Sequence, residues 1–235
     1  MSENALFKIA VLNYSGNVGK STLARHLLQP RMSECPITFI ESINEGGDEE
    51  SNVKGKEFAT VMIDVLAADR AIVDIGSSNI EQVFAKVGRM GDVLDGFDYF
   101  LIPTVSKAKQ QNDTVKVIRD LAVLGVPTSK MKVILNYVDP DDDVEKIFDI
   151  ALEALERLKI EHAIVHESEG FAYLTGRTVK DVAAEGRDFR KQIAEAATKE
   201  AKHELATAQV LSRMARGIQA ELDTVFTKLF GPATA

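Results

Sequence analysis

A chain of 235 residues, 45% of them hydrophobic, suffices for one large α/β domain, or one domain with a helical appendage, around a substantial core. The net charge of −8 is uneven: residues 171–235 carry ten Lys/Arg against eight Asp/Glu, which leaves −10 on residues 1–170, so that part is not an obvious nucleic-acid binder. No apolar run reaches the ~18 residues of a membrane span, the single Cys35 excludes an internal disulfide and fits a reducing cytoplasm, and the scattered His26, His162, His166 and His203 lack metal-ligand spacing. Residues 1–11, MSENALFKIAV, show no basic region and no cleavage pattern, so no signal peptide is expected.

Short, nearly continuous apolar runs mark six expected strands: Leu6–Asn13, Pro36–Glu41, Arg70–Ile75, Tyr99–Val105, Met131–Val138 and a weaker Ala163–His166. Continuous rather than alternating Ile/Val composition suits strands covered on both faces. Helical stretches separate them at Lys20–Gln29, roughly Lys56–Ala68, Ile80–Val87, Gln110–Leu124 and Val144–Leu158. The alternation predicts an α/β fold with a doubly wound, mostly parallel sheet, whose ligands bind beyond the carboxyl ends of the strands. After His166 the strands stop, and residues 178–230 read as helices with apolar steps of three and four. The expected organisation is an α/β domain over 1–167 and a helical extension over 168–235 packed on it. Ile218–Phe230 reads either as a packing helix or as an amphipathic partner- or membrane-binding one. Glu221 and Asp223 on its polar face disfavour an anionic membrane.

The first strand runs into Gly16-Asn17-Val18-Gly19-Lys20-Ser21-Thr22 and then a helix. Strand, glycine loop, Lys-Ser and helix is an arrangement that holds a nucleotide triphosphate: loop amides and the helix N-terminus face the phosphates, Lys20 supplies a point charge, and Ser21 offers a hydroxyl to Mg²⁺. The loop is a variant, because Tyr14 stands where the general pattern has its first glycine.

The ends of the later strands add candidates. Glu41 either reaches Mg²⁺ through water or is a plain acidic loop residue. Asp74, after three apolar residues and before a Gly76-Ser77-Ser78 turn, suits the water shell of Mg²⁺, and Gly76 lets the backbone approach a γ-phosphate. Asn136 either pairs with an adenine edge or forms a turn before Asp139-Pro140.

Four motifs in order resemble one family. Ser15–Thr22 is similar to the deviant Walker A loop, KGGVGKST, of the ParA/MinD superfamily, ATPases that partition plasmids or chromosomes and position the division machinery. IVDIG (72–76) resembles their Walker A′ and switch II strand, DYFLIPTV (98–105) their strand ending LIP, and VILNYV (133–138) the strand bearing an adenine-contacting Asn. The spelling NYSGNVGKSTLARHLL followed by FIESIN looks most like the StbB-type stability ATPases of conjugative plasmids. The resemblance implies ATP/ADP and Mg²⁺ as ligands, with Lys20 on the β/γ-phosphates and Ser21 and Asp74 at the metal. It implies Gly16, Asn17, Val18, Gly19 and Thr22 cradling phosphates, Glu41 in switch I, Asp74 in switch II and Asn136 on adenine. It further implies a bacterial cytoplasmic protein, a nucleotide-dependent homodimer, and action on plasmid DNA through a DNA-bound adaptor, with direct DNA contact weak and membrane contact disfavoured by the acidic residues.

Two departures bear on turnover. The family's signature lysine, which reaches a partner's phosphates, falls at Ser15, and the second switch I aspartate falls at Ile43. Both losses touch hydrolysis and the trans contact and spare nucleotide binding. The expectation is an ATP-binding protein, a weak ATPase at most, in which Lys107 or Lys109 or a partner supplies the missing charge. The alternative is a nucleotide-binding scaffold with no significant hydrolysis. A ligase on the same scaffold would need substrate-binding groups near the phosphates, and the sequence offers none.

Overall fold

The computed structural model describes residues 7–40, 58–174 and 176–232. The predicted Glu41 and Ile43 lie outside them. Among the described residues six strands form one sheet: β1 (Phe7–Leu12), β2 (Ile37–Ile40), β3 (Arg70–Ile75), β4 (Tyr99–Thr104), β5 (Met131–Val138) and β6 (Glu161–His166). They lie in the order β2-β3-β1-β4-β5-β6, and every pairing is parallel.

The order reverses at β1. The chain leaves β1 toward β2 and β3 on one side, then crosses to β4, β5 and β6 on the other. Such a reversal opens a crevice beyond the carboxyl ends of the central strands. Residues Ile9–Leu12, Phe100–Ile102 and Val133–Leu135 are fully or nearly fully buried. This is what continuous apolar strands under two helical layers require.

The helices are α1 (Lys20–Leu23), α2 (Phe58–Ala67), α3 (Ile80–Met90), α4 (Ala108–Val123), α5 (Val144–Ile147), α6 (Asp149–Leu158), α7 (Val179–Ala183), α8 (Phe189–Glu195) and α9 (Lys199–Phe230). Two differ from expectation for identifiable reasons. The single helix expected over Lys20–Gln29 is α-helical only to Leu23; it widens to five-residue spacing over Ala24–Leu28 and tightens to a 3-10 turn at Gln29–Arg31. Pro30 has no N–H for the His26 carbonyl. The buried Arg31 guanidinium donates to His26 O at 3.0 Å and Leu27 O at 2.8 Å instead.

The helix expected over Val144–Leu158 breaks at Phe148, which is fully buried with φ −117° and ψ 25°. Gln111 of α4 satisfies the break: its amide donates to Ile147 O at 2.8 Å, and its Oε1 accepts from Ala151 N at 3.0 Å. A buried break is tolerable only when its backbone groups find partners.

The chain forms two compact units, Met1–Glu167 with Phe226–Ala235, and Ser168–Val225. In the first, Phe226 and Phe230 meet Phe7 edge-on with ring centroids 6.2 and 6.1 Å apart, and Phe230 meets Tyr99 at 5.2 Å. In the second, Thr178 and Asp181 form a reciprocal capping box at the start of α7. The apolar stripe Ile218, Leu222, Val225, Phe226 and Leu229 of α9 is buried. No helix among the described residues is long and apolar enough to cross a membrane.

Candidate functional site: a glycine loop at the sheet reversal

The loop between β1 and α1 is tied down before it is glycine-rich. Asn13, fully buried, donates through Nδ2 to Pro103 O at 2.8 Å and to Thr114 Oγ1 at 2.7 Å, while its Oδ1 accepts from Ser15 N at 2.9 Å. One side chain thus fixes the end of β1 against β4, α4 and the loop. Tyr14 donates its hydroxyl to Asp120 Oδ2 at 2.8 Å and lies under the Lys116 ammonium, 3.8 Å from the ring centroid. Burial first, then the Asp120 carboxylate, pushes the Tyr14 phenol well above its ordinary value and keeps it a donor. Ser15, 3% exposed, donates Oγ to Asp113 Oδ2 at 2.5 Å.

The loop then turns through left-handed backbone at Asn17 (φ 53°) and Gly19 (φ 88°). Gly19 is required twice over. Its φ disfavours a side chain, and a Cβ would fall 2.2 Å from Asn136 Nδ2. Gly16 has its neighbour across the crevice, with a Cβ position 3.7 Å from Ser77 Oγ in the turn after β3. Gly16 and Asn17 are exposed and Val18 is buried. The loop therefore presents backbone to the crevice while its apolar side chain anchors it.

Lys20 opens α1, and its ammonium lies along the loop, donating to Ser15 O at 2.8 Å and Asn13 O at 3.4 Å. Ser21 Oγ donates to Asp74 Oδ2 at 2.5 Å. Asp74 is 2% exposed near the end of β3, paired in register with Val11 of β1 and Phe39 of β2. The turn after it is fastened by Gly76 N to Ile40 O at 2.9 Å and by Asn79 Nδ2 to Ile40 O at 3.2 Å. Asn136 ends the regular register of β5; a bulge follows at Tyr137 (φ 56°), and the Asn136 amide donates to Val18 O at 2.9 Å.

The structure thus gathers Lys20, Ser21, Asp74 and Asn136 around Gly16–Gly19, drawn from the ends of β1, β3 and β5 and the first turn of α1. Thr22 follows Ser21 in that turn. Lys107 and Lys109, at the start of α4, are exposed. Sequence reasoning did not single out Asn13, Asp113 or Asp120. The signal available for Asn13 was a polar residue directly after a buried strand; Asp113 and Asp120 carried none, because their partners lie about a hundred positions away in the chain.

No protein-family model matches the chain, and no curated protein sequence matches it. Solved structures do. A ParA family ATPase from Chlorobium tepidum superposes with a TM-score of 0.55 at 13% identity, over 96% of this chain and 98% of that one. The chain has the ParA/MinD ATPase fold. McdA from Cyanothece matches in its apo form with a TM-score of 0.53 at 14% identity, over 96% of this chain and 99% of that one. A variant of it complexed with ATP matches at 0.50 and 17%, over 93% and 97%. MinD in the MinC–MinD cell division complex of Aquifex aeolicus matches at 0.51 and 16%, over 92% and 96%. Within the ParA/MinD fold, the loop described above occupies the sheet reversal, where open parallel sheets take their ligands.

Proposed function

We propose that this chain binds ATP or ADP with Mg²⁺ at the Gly16–Thr22 loop and works as a ParA-like partition or positioning protein of the bacterial cytoplasm. One observation carries the reading: Lys20, Ser21, Asp74 and Asn136 converge on a loop that presents backbone to the crevice. Lys20 would exchange its carbonyl partners for the β- and γ-phosphate oxygens, Gly16, Asn17, Val18, Gly19 and Thr22 would line the phosphates, and Asn136 would face adenine.

The donor set fits Mg²⁺. A hydroxyl and a carboxylate 2.5 Å apart are hard oxygen ligands, and Mg²⁺ is commonly held by one or two carboxylates plus substrate phosphates rather than by a protein cage. Among the described residues no cluster of three His, Cys, Asp or Glu could hold a metal by itself. When bound, the ion would neutralise charge developing on the phosphates. Ser21 and Asp74 would orient it, and Glu41 is our candidate for a further water-mediated contact.

In this reading ATP favours a homodimer, and the protein acts on plasmid DNA through a DNA-bound adaptor, the StbB-type stability function being the finer assignment. The acidic body supports an adaptor over direct DNA contact. The structures with ATP and with MinC were determined for McdA and MinD, and they support nucleotide and partner binding here by analogy of fold.

A second reading, a nucleotide-binding scaffold without significant hydrolysis, is favoured by Ser15. Its hydroxyl is directed to Asp113 and it is buried, so position 15 offers no cation to a second subunit. Equilibrium binding of a fluorescent ATP analogue, beside phosphate release by wild type and Lys20→Ala, tests both. Tight Mg²⁺-dependent binding with turnover above Lys20→Ala supports the ATPase. Tight binding without turnover, even with the adaptor present, selects the scaffold. Equal binding by wild type and Lys20→Ala overturns the nucleotide reading.

A further inference from the structure

The first unit holds a second concavity, away from the glycine loop. A cleft of about 860 Å³ lies between β6 and the α5–α6 segment. Its floor is apolar: Leu152 and Ile164 are half-buried and pack against the main core, beside the buried Leu155 and Ile160. Its rim is acidic, with Glu145, Asp149, Glu153 and Glu156 all exposed along it. Asp149, Glu153 and Glu156 stand at i, i+4 and i+7 on α6 and share one face.

The charge is not balanced locally. Residues 139–159 contain eight Asp/Glu against three Lys/Arg. Among the described residues none of the four rim carboxylates forms an ion pair. Lys159 is the one formal cation among the lining residues, and His162, which also lines the cleft, is held below its ordinary pKa by burial and by Lys228. Like charges at i and i+4 repel and weaken the helix that carries them. A row of them along an apolar floor is unfavourable in the isolated chain and complementary to one kind of occupant, a basic chain with apolar anchors.

We propose that this cleft docks a basic segment of a partner protein. Its Lys or Arg side chains would meet Asp149, Glu153 and Glu156, and an aliphatic or aromatic anchor would cover Leu152 and Ile164. The acidic rim repels phosphate, nucleotide and nucleic acid, so the surface is separate in chemistry from the glycine loop. The proposal stands apart from the nucleotide reading.

Four fluorescent sixteen-residue peptides test it by anisotropy on the full chain: Arg with Leu, Arg with Ser, Glu with Leu, and Gln with Leu. The Arg/Leu peptide is expected to bind wild type roughly tenfold tighter than each of the others, and to weaken roughly tenfold on Asp149→Lys/Glu153→Lys. Both positions are exposed, and circular dichroism checks that the variant is folded. Hydrogen exchange with the Arg/Leu peptide bound is expected to slow in α6 and β6. Binding unaffected by the charge reversal overturns the proposal, as does equal binding of the Arg/Ser peptide, which would be diffuse charge adsorption. Lys20→Ala is expected to bind the Arg/Leu peptide as wild type does, so a failed nucleotide site and a failed cleft give different results.

Discussion

Ser15 Oγ lies 2.5 Å from Asp113 Oδ2, joining the first half of the glycine loop to the middle of α4. Together with Tyr14 on Asp120 and Asn13 on Thr114, it makes α4 the surface against which the loop is held. A hydrogen bond to a charged acceptor contributes about 1.5–3 kcal/mol, and its loss strands the remaining partner. We expect Ser15→Ala and Asp113→Ala each to lower stability and the pair to be non-additive, with a coupling of about 1–2 kcal/mol in urea unfolding.

The same contact predicts the result of restoring a lysine. In Ser15→Lys the new ammonium meets Asp113 rather than a second subunit. ATP turnover is expected to stay at the wild-type level in Ser15→Lys and to rise in Ser15→Lys/Asp113→Ala, as read by phosphate release. An increase in the single variant would show that position 15 faces outward in the nucleotide-bound protein.

Gly19 is set by φ 88° and by Asn136. Gly19→Ala adds left-handed strain of about 1–2 kcal/mol and drives a methyl into the Asn136 amide, breaking its bond to Val18 O. The variant is expected to melt lower and to lose nucleotide affinity. Gly19→Ala/Asn136→Ala is expected to recover part of the stability while remaining weak for nucleotide. Thermal unfolding separates the two effects.

Ser21 and Asp74 predict a metal-specific defect. Ser21→Ala removes one hard oxygen and the hydroxyl that Asp74 accepts, at about 1 kcal/mol of stability. Its nucleotide affinity is expected to fall in Mg²⁺ and to change little in EDTA, measured by titration calorimetry in both buffers. An equal loss in both would place Ser21 away from the metal.

His162 predicts a pH dependence. Burial first, then Lys228, holds its imidazole below the ordinary value. On acidification the unfolded chain takes up this proton before the folded one does. The group therefore withdraws stability as pH falls below about 6.5, until the folded imidazole also protonates. His162→Gln is expected to show a shallower loss of stability between about pH 7 and 5. An unchanged slope would mean that His162 titrates alike in both states.

The boundaries of the later elements show where sequence reading reached its limit. The strands were legible because a doubly covered strand is a local run of Ile and Val, and the observed β3 and β5 begin and end where those runs do. The fall of α1 into wider and tighter turns was written in Pro30, whose missing N–H is a local property. The break at Phe148 was not, because the amide that makes it tolerable belongs to Gln111, on another helix.

The sequence by itself determined the order of strands and helices, the glycine loop with its Lys-Ser, and the acid closing β3. These depend on composition and spacing along a few consecutive residues. Only the tertiary structure decided that Ser15 turns inward, that Asn13 ties three elements together and that Asn136 closes over Gly19. The long-range hydrogen bonds among them join residues 90 to 118 positions apart. No local pattern encodes such pairings; they arise because a parallel sheet brings the carboxyl ends of distant strands to one edge.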